Sequence, residues 1–200
     1  LGVQIDEKLK VDAQVMSCCR SCYYHMRRIR QVRHLLNPSS LRALVVAFVL
    51  GRIDYCNSLY AGCSKTVLHR LQRVQDAAAR LVHGASRLET AMPLIRELHW
   101  LPVPSRIQYK LSMLMYDVFH GVAPGYLVNL CRPCRDARLR STSRGQYVVP
   151  FSRLSFGQRS FRTTGPRAWN SLPDHVRTAP SRTIFASRLK THLYTLAYLP

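Results

Sequence analysis

The stretch Lys65–His83 places the strongest structural constraint on how this chain can fold. Its apolar residues recur at intervals of three and four, which puts them along one side of an α-helix. These residues are Leu68, Leu71, Val74, Ala78 and Leu81. Ser64 directly precedes the stretch, and serine is a favoured helix N-cap. The opposite side carries Arg70, Arg73 and Arg80. The stretch therefore predicts an amphipathic helix that packs through its apolar side.

Five further stretches show helical spacing of apolar residues. The one that follows Asn37, expected as a cap, is apolar on all sides, which predicts a buried helix that Gly51 ends. Another has Ser105 as its expected cap and Gly121 just past its last turn. Ser181 is the expected cap of the last helix. These five predicted helices cover residues 11–36, 38–50, 90–98, 106–120 and the stretch after residue 181.

The part between residues 147 and 170 shows a different pattern. Short apolar runs at residues 147–150 and 154–156, followed by Phe161, alternate with polar and glycine turns, which predicts a small β-hairpin. The segment GPRAWNSLP then predicts one helical turn that buries Trp169. The fold class we expect is mainly α: a helical bundle with a small C-terminal β-hairpin and a terminal helix.

The charge of the chain is unusual for a folded domain. Its 200 residues are 47% hydrophobic, enough for a core, yet 30 Lys and Arg against 10 Asp and Glu give a formal charge of +20. Arginine supplies 25 of the 30, and its planar fork binds phosphate in a bidentate way and stacks on bases. This excess predicts RNA or DNA as the partner. A bias of GC-rich coding sequence toward arginine is the alternative origin of the charge.

The candidate nucleic-acid-binding residues are arginines on the polar sides of predicted helices or interleaved with aromatic residues. Tyr23 and Tyr24 precede one group, and Phe151, Phe156 and Phe161 lie among another. Arginine neutralises phosphate and aromatic rings stack on unpaired bases, so the combination indicates sequence-tolerant binding. For Phe156 and Phe161, a role in a hairpin core is the other interpretation. The candidates are Arg27, Arg28, Arg30, Arg33, Arg70, Arg73, Arg80, Arg138, Arg140, Arg144, Arg153, Arg159 and Arg162.

The sequence offers little for metal binding or for independent catalysis. Cys131 and Cys134 form one Cys-x-x-Cys pair, but a structural zinc site needs four ligands. The other close cysteines share the apolar stripe of a predicted helix, so thiols are favoured over zinc. The segment LHWLP predicts a packed turn anchored by Trp100, in preference to a catalytic His99. We expect no metal, cofactor or small-molecule substrate, since no serine elbow or phosphate-binding glycine loop occurs.

The apolar runs are too short for a membrane span. The longest, residues 43–50, falls well below the ~20 residues that a helix needs to cross a bilayer. No signal peptide is recognisable. We therefore expect an intracellular protein, nuclear or cytoplasmic, with no membrane partner and with its seven cysteines as thiols.

Several short segments occur in an order found in one family. GRIDYCNSLYAG is followed by LHRLQRVQDAAARLVHG, LHWLPVPSRIQYK, APGYLVNL, SFGQRSFRTTGPRAWNSLP and FASRLKTHLY. This order resembles the thumb and C-terminal tail of reverse transcriptases from LINE-type retrotransposons, which lack long terminal repeats. The opening LGVQID is similar to the strand that follows their catalytic palm. The resemblance implies a palm remnant at residues 1–10, a helical thumb at 11–130, a basic linker at 131–146 and a small α+β segment at 147–200.

The resemblance also implies that this chain lacks the catalytic aspartates of the family. A polymerase of this family binds Mg²⁺ through clustered aspartates, whereas the ten acidic residues here are scattered and no tyrosine-aspartate-aspartate turn occurs. We therefore expect a catalytically incomplete piece of an RNA-directed DNA polymerase that retains non-specific binding of the RNA or DNA backbone. The alternative is an inert or protein-interacting helical domain translated from a decayed element.

Overall fold

A computed structural model of the chain describes residues 2–7, 10–134 and 145–199. Most of these residues are helical, which confirms the mainly α fold class. The chain divides into two compact units, residues 1–106 and residues 107–200, which are described one after the other. The predicted domain limits at residues 130 and 146 stay predictions, and most of the expected basic linker lies outside the described residues.

The first unit is built from helices of very different length. A π-helical turn joins α2 directly to α3, so the chain turns helically from Pro38 to Asp54 without a break. Single 3-10 turns occur at Arg33–Leu35 and Asn57–Tyr60. The elements are α1 (Asp12–Val32), α2 (Pro38–Val45), the π-helical turn (Val46–Leu50), α3 (Gly51–Asp54), α4 (Lys65–His83), α5 (Ala91–Glu97) and the beginning of α6 (Val103–Phe119).

Local sequence signals fix where several of these helices begin and end. The Asn37 side chain accepts a hydrogen bond from the backbone N–H of Ser40, and Ser64 caps α4 in the same way through Val67. Gly84 ends α4 in the left-handed conformation, with φ +72°. The predicted helix at Lys65–His83 is therefore confirmed at both ends.

The core of the first unit lies between α1, α4 and the helical segment that contains the π-turn. Fully buried side chains from all three meet there, among them Val15, Val45, Leu71 and Val74. Helices α1 and α4 run parallel, because Cys19 lies beside Arg70 and, further along both helices, Arg33 lies beside Gly84. The predicted apolar stripe of α4 thus forms the centre of this unit.

Polar side chains hold the turn that connects α5 to α6. Buried Gln75 donates a hydrogen bond to the carbonyl oxygen of Leu101 at 2.8 Å, and Arg42 donates to that of Leu98 at 2.9 Å. Arg106 donates to Leu101 as well and forms an ion pair with Asp54. Since the turn runs over buried residues, these bonds satisfy carbonyl groups that water cannot reach. Trp100 in this turn is 5% exposed, which confirms its expected packing role.

The second unit continues from α6 through short helices to a long terminal one. Its core is aromatic: the ring of Trp169 packs against Phe119 and Phe185, and Phe185 also stacks on Tyr116. Ser181 caps the last helix through the N–H of Ile184, as predicted. The elements are α7 (Gly125–Leu130), α8 (Ser155–Arg159), α9 (Phe161–Asn170), α10 (Asp174–Arg177) and α11 (Arg182–Tyr198).

The predicted C-terminal β-hairpin is wrong for the described residues. Residues 155, 156 and 161 lie in helices α8 and α9, and the described part of this unit contains one isolated antiparallel bridge, between Pro133 and Tyr147, but no strand. The reason is a contact with a residue distant in sequence: the side-chain amide of Asn170 bonds both backbone groups of Tyr147, at 3.0 and 2.7 Å. A side chain from α9 thereby takes the place of a partner strand.

Three smaller predictions also differ from the structure. Gly51 does not end a helix but begins α3. The helix before it is not buried on all sides, since Val46 and Phe48 are 40% and 45% exposed. Helix α6 begins at Val103, ahead of its expected cap Ser105. Among the described residues, no helix combines the length and the apolar character needed to cross a membrane.

Candidate nucleic-acid interface

The four candidate arginines near the end of α1 do not form one cluster. Arg27, Arg28 and Arg30 are exposed, whereas Arg33 is half-buried just beyond the helix. Arg27 and Arg30 continue the row begun by Cys19 and Tyr23, at intervals of three and four, so they lie on the side of α1 that faces α4. Arg28 points away from that side, toward α2 and the π-turn.

The candidate arginines of α4 differ in what they contact. Arg70 forms an ion pair with Asp12 at 3.7 Å, and Arg80 donates a hydrogen bond to the carbonyl oxygen of Glu89. Arg73 is exposed and lies close to Tyr23 of α1. Burial raises the pKa of the Tyr23 phenol, and the charge of Arg73 opposes part of that rise. Arg73 is therefore the candidate arginine of α4 that lies next to the side of α1 formed by Cys19, Tyr23, Arg27 and Arg30.

Arg33 lies at the end of α4. Its guanidinium rests against Gly84 so closely that any side chain at position 84 would collide with it. A cation at this place is favourable, because the carbonyl end of a helix carries partial negative charge. Arg33 also lines a pocket of about 460 Å³ together with Arg30 and His34. Its Nε is buried and has no hydrogen-bond partner among the described residues. The two guanidinium groups in this concave place suit an anion.

Ion pairs among the described residues neutralise arginines elsewhere. Most of the described aspartates are used in this way. These pairs are Asp12 with Arg70, Asp54 with Arg106, Asp117 with Arg182, and Asp174 with Arg177. In the described part of the chain, Arg27, Arg28, Arg30 and Arg73 form no ion pair with a carboxylate. Positive charge without a partner carboxylate among the described residues thus lies along α1 and the neighbouring edge of α4, as it does at other exposed arginines such as Arg87 and Arg167.

The candidate residues of the second unit lie in and around α8. Arg153 and Arg162 are exposed and Arg159 is half-buried. Phe151 and Phe156 are 87% and 51% exposed, so neither fills a core. Aromatic and cationic side chains are therefore both exposed to solvent in this part of the second unit. Arg138, Arg140 and Arg144 lie outside the described residues.

The cysteines of the first unit serve its packing. The thiol of Cys18 donates to the carbonyl oxygen of Arg52 at 3.5 Å, and that of Cys22 donates to Val49 at 3.6 Å. A hydrogen bond between the two thiols lowers the pKa of Cys18 and, together with burial, raises that of Cys22. Burial raises the pKa of Cys19 to about 11. A thiol kept protonated is a poor metal ligand.

The Cys-x-x-Cys pair lies in the second unit. Burial raises the pKa of Cys131 to about 11, and its thiol donates to the sulfur of Met115 at 3.7 Å. Cys134 is half-buried. The described residues contain no group of three or more His, Cys, Asp or Glu side chains that could hold a metal ion.

Sequence reasoning missed a groove on the other side of α1. Its walls include His25, Arg28 and Phe48, and its volume is about 320 Å³. Phe48 was assigned to a buried helix because its neighbours are all apolar. The π-helical turn brings the ring to the surface, and the sequence VAFVL carries no recognisable signal for such a turn.

The chain matches no protein-family model, and neither a curated protein nor a solved structure is significantly similar to it.

Proposed function

We propose that this chain binds the sugar-phosphate backbone of RNA or DNA without sequence preference. The observation that carries the proposal is the placement of Arg27 and Arg30 of α1 beside Arg73 of α4, all three exposed and none in an ion pair with a described carboxylate. Their two helices run parallel, so the guanidinium groups line one elongated surface. We call these three residues the arginine row.

The physical chemistry of the arginine row suits a polyphosphate strand. Each guanidinium can bind phosphate oxygens in a bidentate way without giving up an existing ion pair. The pocket formed by Arg30, Arg33 and His34 continues the row at the end of α1. A net charge of +20 adds long-range attraction to any polyanion and favours rapid association.

We also propose that the chain is the thumb and tail of a LINE-type reverse transcriptase, separated from its active site. The order of short segments, the mainly helical fold and the scattered carboxylates support this proposal. In such an enzyme, the arginine row would hold the template-primer backbone. The chain alone would have no polymerase activity and no cofactor, and the expected compartment is the nucleus or the cytoplasm.

The proposal is tested by fluorescence anisotropy with labelled RNA and DNA, as duplexes and as single strands, over a range of salt concentrations. We expect binding that weakens steeply with salt, because phosphate contacts release counterions. Arg27→Gln, Arg30→Gln and Arg73→Gln combined should reduce the slope of log affinity against log salt by about 2.7, the loss of three phosphate contacts to duplex DNA. Arg87→Gln, Arg132→Gln and Arg167→Gln combined remove the same charge from exposed positions outside the row.

The two triple variants separate a binding surface from bulk charge. Equal weakening by both would mean that only net charge matters. Absence of binding at low salt, or affinity that salt does not change, would contradict the proposal and favour an inert or protein-interacting domain.

A further inference from the structure

An aromatic groove lies on the side of α1 that faces away from the arginine row. It has a volume of about 320 Å³, and its walls are apolar apart from His25, Gln31 and one cation, Arg28. Phe48 forms one wall, is 45% exposed, and stacks on His25 with ring centroids 5.4 Å apart and an interplanar angle of 24°. The ring of Tyr24 meets His25 edge-on, also at 5.4 Å. The ring of His25 therefore contacts the rings of both Tyr24 and Phe48 at the surface.

The backbone holds Phe48 in this exposed position. Phe48 lies in the middle of the π-helical turn Val46–Leu50, and its neighbours Val45 and Val49 are fully buried. The thiol of Cys22 donates to the carbonyl oxygen of Val49, which ties the turn to α1. A π-turn is energetically unfavourable relative to a regular helix, and such turns occur often at functional sites. The π-helical turn, with buried residues on both sides of Phe48, thus holds this ring at the surface.

We propose that this groove binds one unpaired nucleobase, which stacks on Phe48 while Arg28 binds the adjacent phosphate. The inference rests on the proposed function and deepens it, because it gives the chain a preference for single-stranded or frayed segments over fully paired duplex. Bases within a duplex are already stacked on their neighbours and cannot enter such a groove.

The lining chemistry favours a nucleobase over other apolar occupants. A base presents a flat aromatic face, which stacks well on an aromatic ring, and it always carries a phosphate within reach of a neighbouring cation. Among the described residues, no carboxylate lines the groove to repel that phosphate. The volume lies at the small end of the range for ligand pockets, which suits one ring system.

The protonation state of His25 agrees with stacking. Burial lowers the pKa of His25, and the positive charge of Arg52 lowers it further. A lowered pKa favours the neutral imidazole, which supports Phe48 as an aromatic ring.

Two substitutions separate the contribution of the aromatic ring of Phe48 to binding from the contribution of its apolar volume. Phe48→Leu keeps the volume and removes the ring, whereas Phe48→Tyr keeps the ring. Tyr126→Leu is the matched control, because Tyr126 is another exposed aromatic residue, 69% exposed, and lies outside the groove and outside the candidate binding residues. Circular dichroism and thermal unfolding establish that each variant is folded.

Anisotropy titrations use a single-stranded oligonucleotide, the same strand with abasic sites, and a blunt duplex of equal length. Phe48→Leu should weaken single-strand binding by about 5- to 150-fold, the range for loss of one stacked base, and leave duplex binding unchanged. Phe48→Tyr and Tyr126→Leu should bind like the original protein. Abasic strands should bind the original protein as weakly as Phe48→Leu binds the intact strand.

The outcomes distinguish this inference from the proposed function. No binding of any nucleic acid at low salt would overturn both. Normal duplex binding together with an unchanged single-strand affinity of Phe48→Leu would overturn the groove alone. A change in oligomeric state of Phe48→Leu, seen by analytical ultracentrifugation, would assign the groove to contact with a second copy of the chain and would also overturn it.

Discussion

The thiol of Cys22 donates a hydrogen bond to the carbonyl oxygen of Val49, 3.6 Å away, in the middle of the π-helical turn. Both residues are fully buried, and they join α1 to the segment that carries Phe48. A sulfur atom is large and polarisable, so it fills the wider space that a π-turn leaves and still acts as a weak donor. One side chain therefore stabilises both the core and the exposed ring next to it.

Cys22→Ala should lower the free energy of unfolding by about 1–3 kcal/mol, because it removes a buried sulfur atom and the hydrogen bond to Val49. Urea unfolding followed by circular dichroism measures the change. Cys134→Ala is the matched control, since Cys134 is only half-buried, and it should leave the midpoint nearly unchanged. Equal effects of the two substitutions would contradict a packing role for Cys22.

Arg70 and Arg73 should contribute differently to nucleic-acid binding, although both lie on the exposed side of α4. Arg73→Gln should reduce the slope of log affinity against log salt by about 0.9, the loss of one phosphate contact to duplex DNA. Arg70→Gln should reduce it less, because Arg70 already pairs with Asp12. Asp12→Asn should then tighten binding by releasing Arg70. An identical slope for Arg70→Gln and Arg73→Gln would contradict this account.

Stability should fall as the pH is raised from about 9 toward about 11. Burial raises the pKa of Cys19 and of Cys131 to about 11, from an ordinary value of 9.0. Between these values the unfolded chain has lost the thiol protons and the folded chain still holds them, so deprotonation favours unfolding. Urea midpoints measured at several pH values report the loss. Cys19→Ala combined with Cys131→Ala should flatten the curve, and an undiminished slope in that variant would contradict the assignment.

Gly165→Ala should destabilise the second unit, although alanine is the better helix former. An added methyl group would lie 2.9 Å from the sulfur of Met115 and 3.0 Å from the ring of Phe161, and overpacking of this kind costs about 1–3 kcal/mol. Gly125→Ala is the control, because the space around Gly125 is open. Thermal unfolding should show a lower midpoint for Gly165→Ala alone. A rise for both would mean that helix propensity outweighs the clash.

The long helices could be predicted because their signals are local and agree with one another. In α4 the apolar spacing, the Ser64 cap and the Gly84 terminator all indicate the same limits, and the structure confirms them. The terminal helix was recognised in the same way from Ser181 and the buried positions Phe185 and Leu189. Where the apolar spacing, the N-cap residue and the C-terminal glycine indicate the same limits, a helix can be located without knowledge of contacts distant in sequence.

The predictions that failed depend on contacts between residues distant in sequence. Apolar runs near Tyr147 are compatible with a strand, but the amide of Asn170 satisfies that backbone instead. The exposed Phe48 lies in a π-helical turn that the hydrogen bond from the Cys22 thiol to Val49 ties to α1, and apolar periodicity does not indicate such a contact. Charge, helical spacing and neighbouring aromatic residues indicate the candidate arginines, but their division between the two sides of α1 depends on how α1 packs, which the sequence does not show.

The division between the two compact units falls between Arg106 and Ile107, inside α6. Arg106 itself is bound to Asp54 and to the carbonyl oxygen of Leu101. If the chain were cut at this division to make a shortened version, a continuous helix would be divided and its new ends would be exposed. Expression of either half for crystallisation or for spectroscopic assignment therefore calls for a cut that keeps all of Val103–Phe119, so the two halves should be designed with this helix in common.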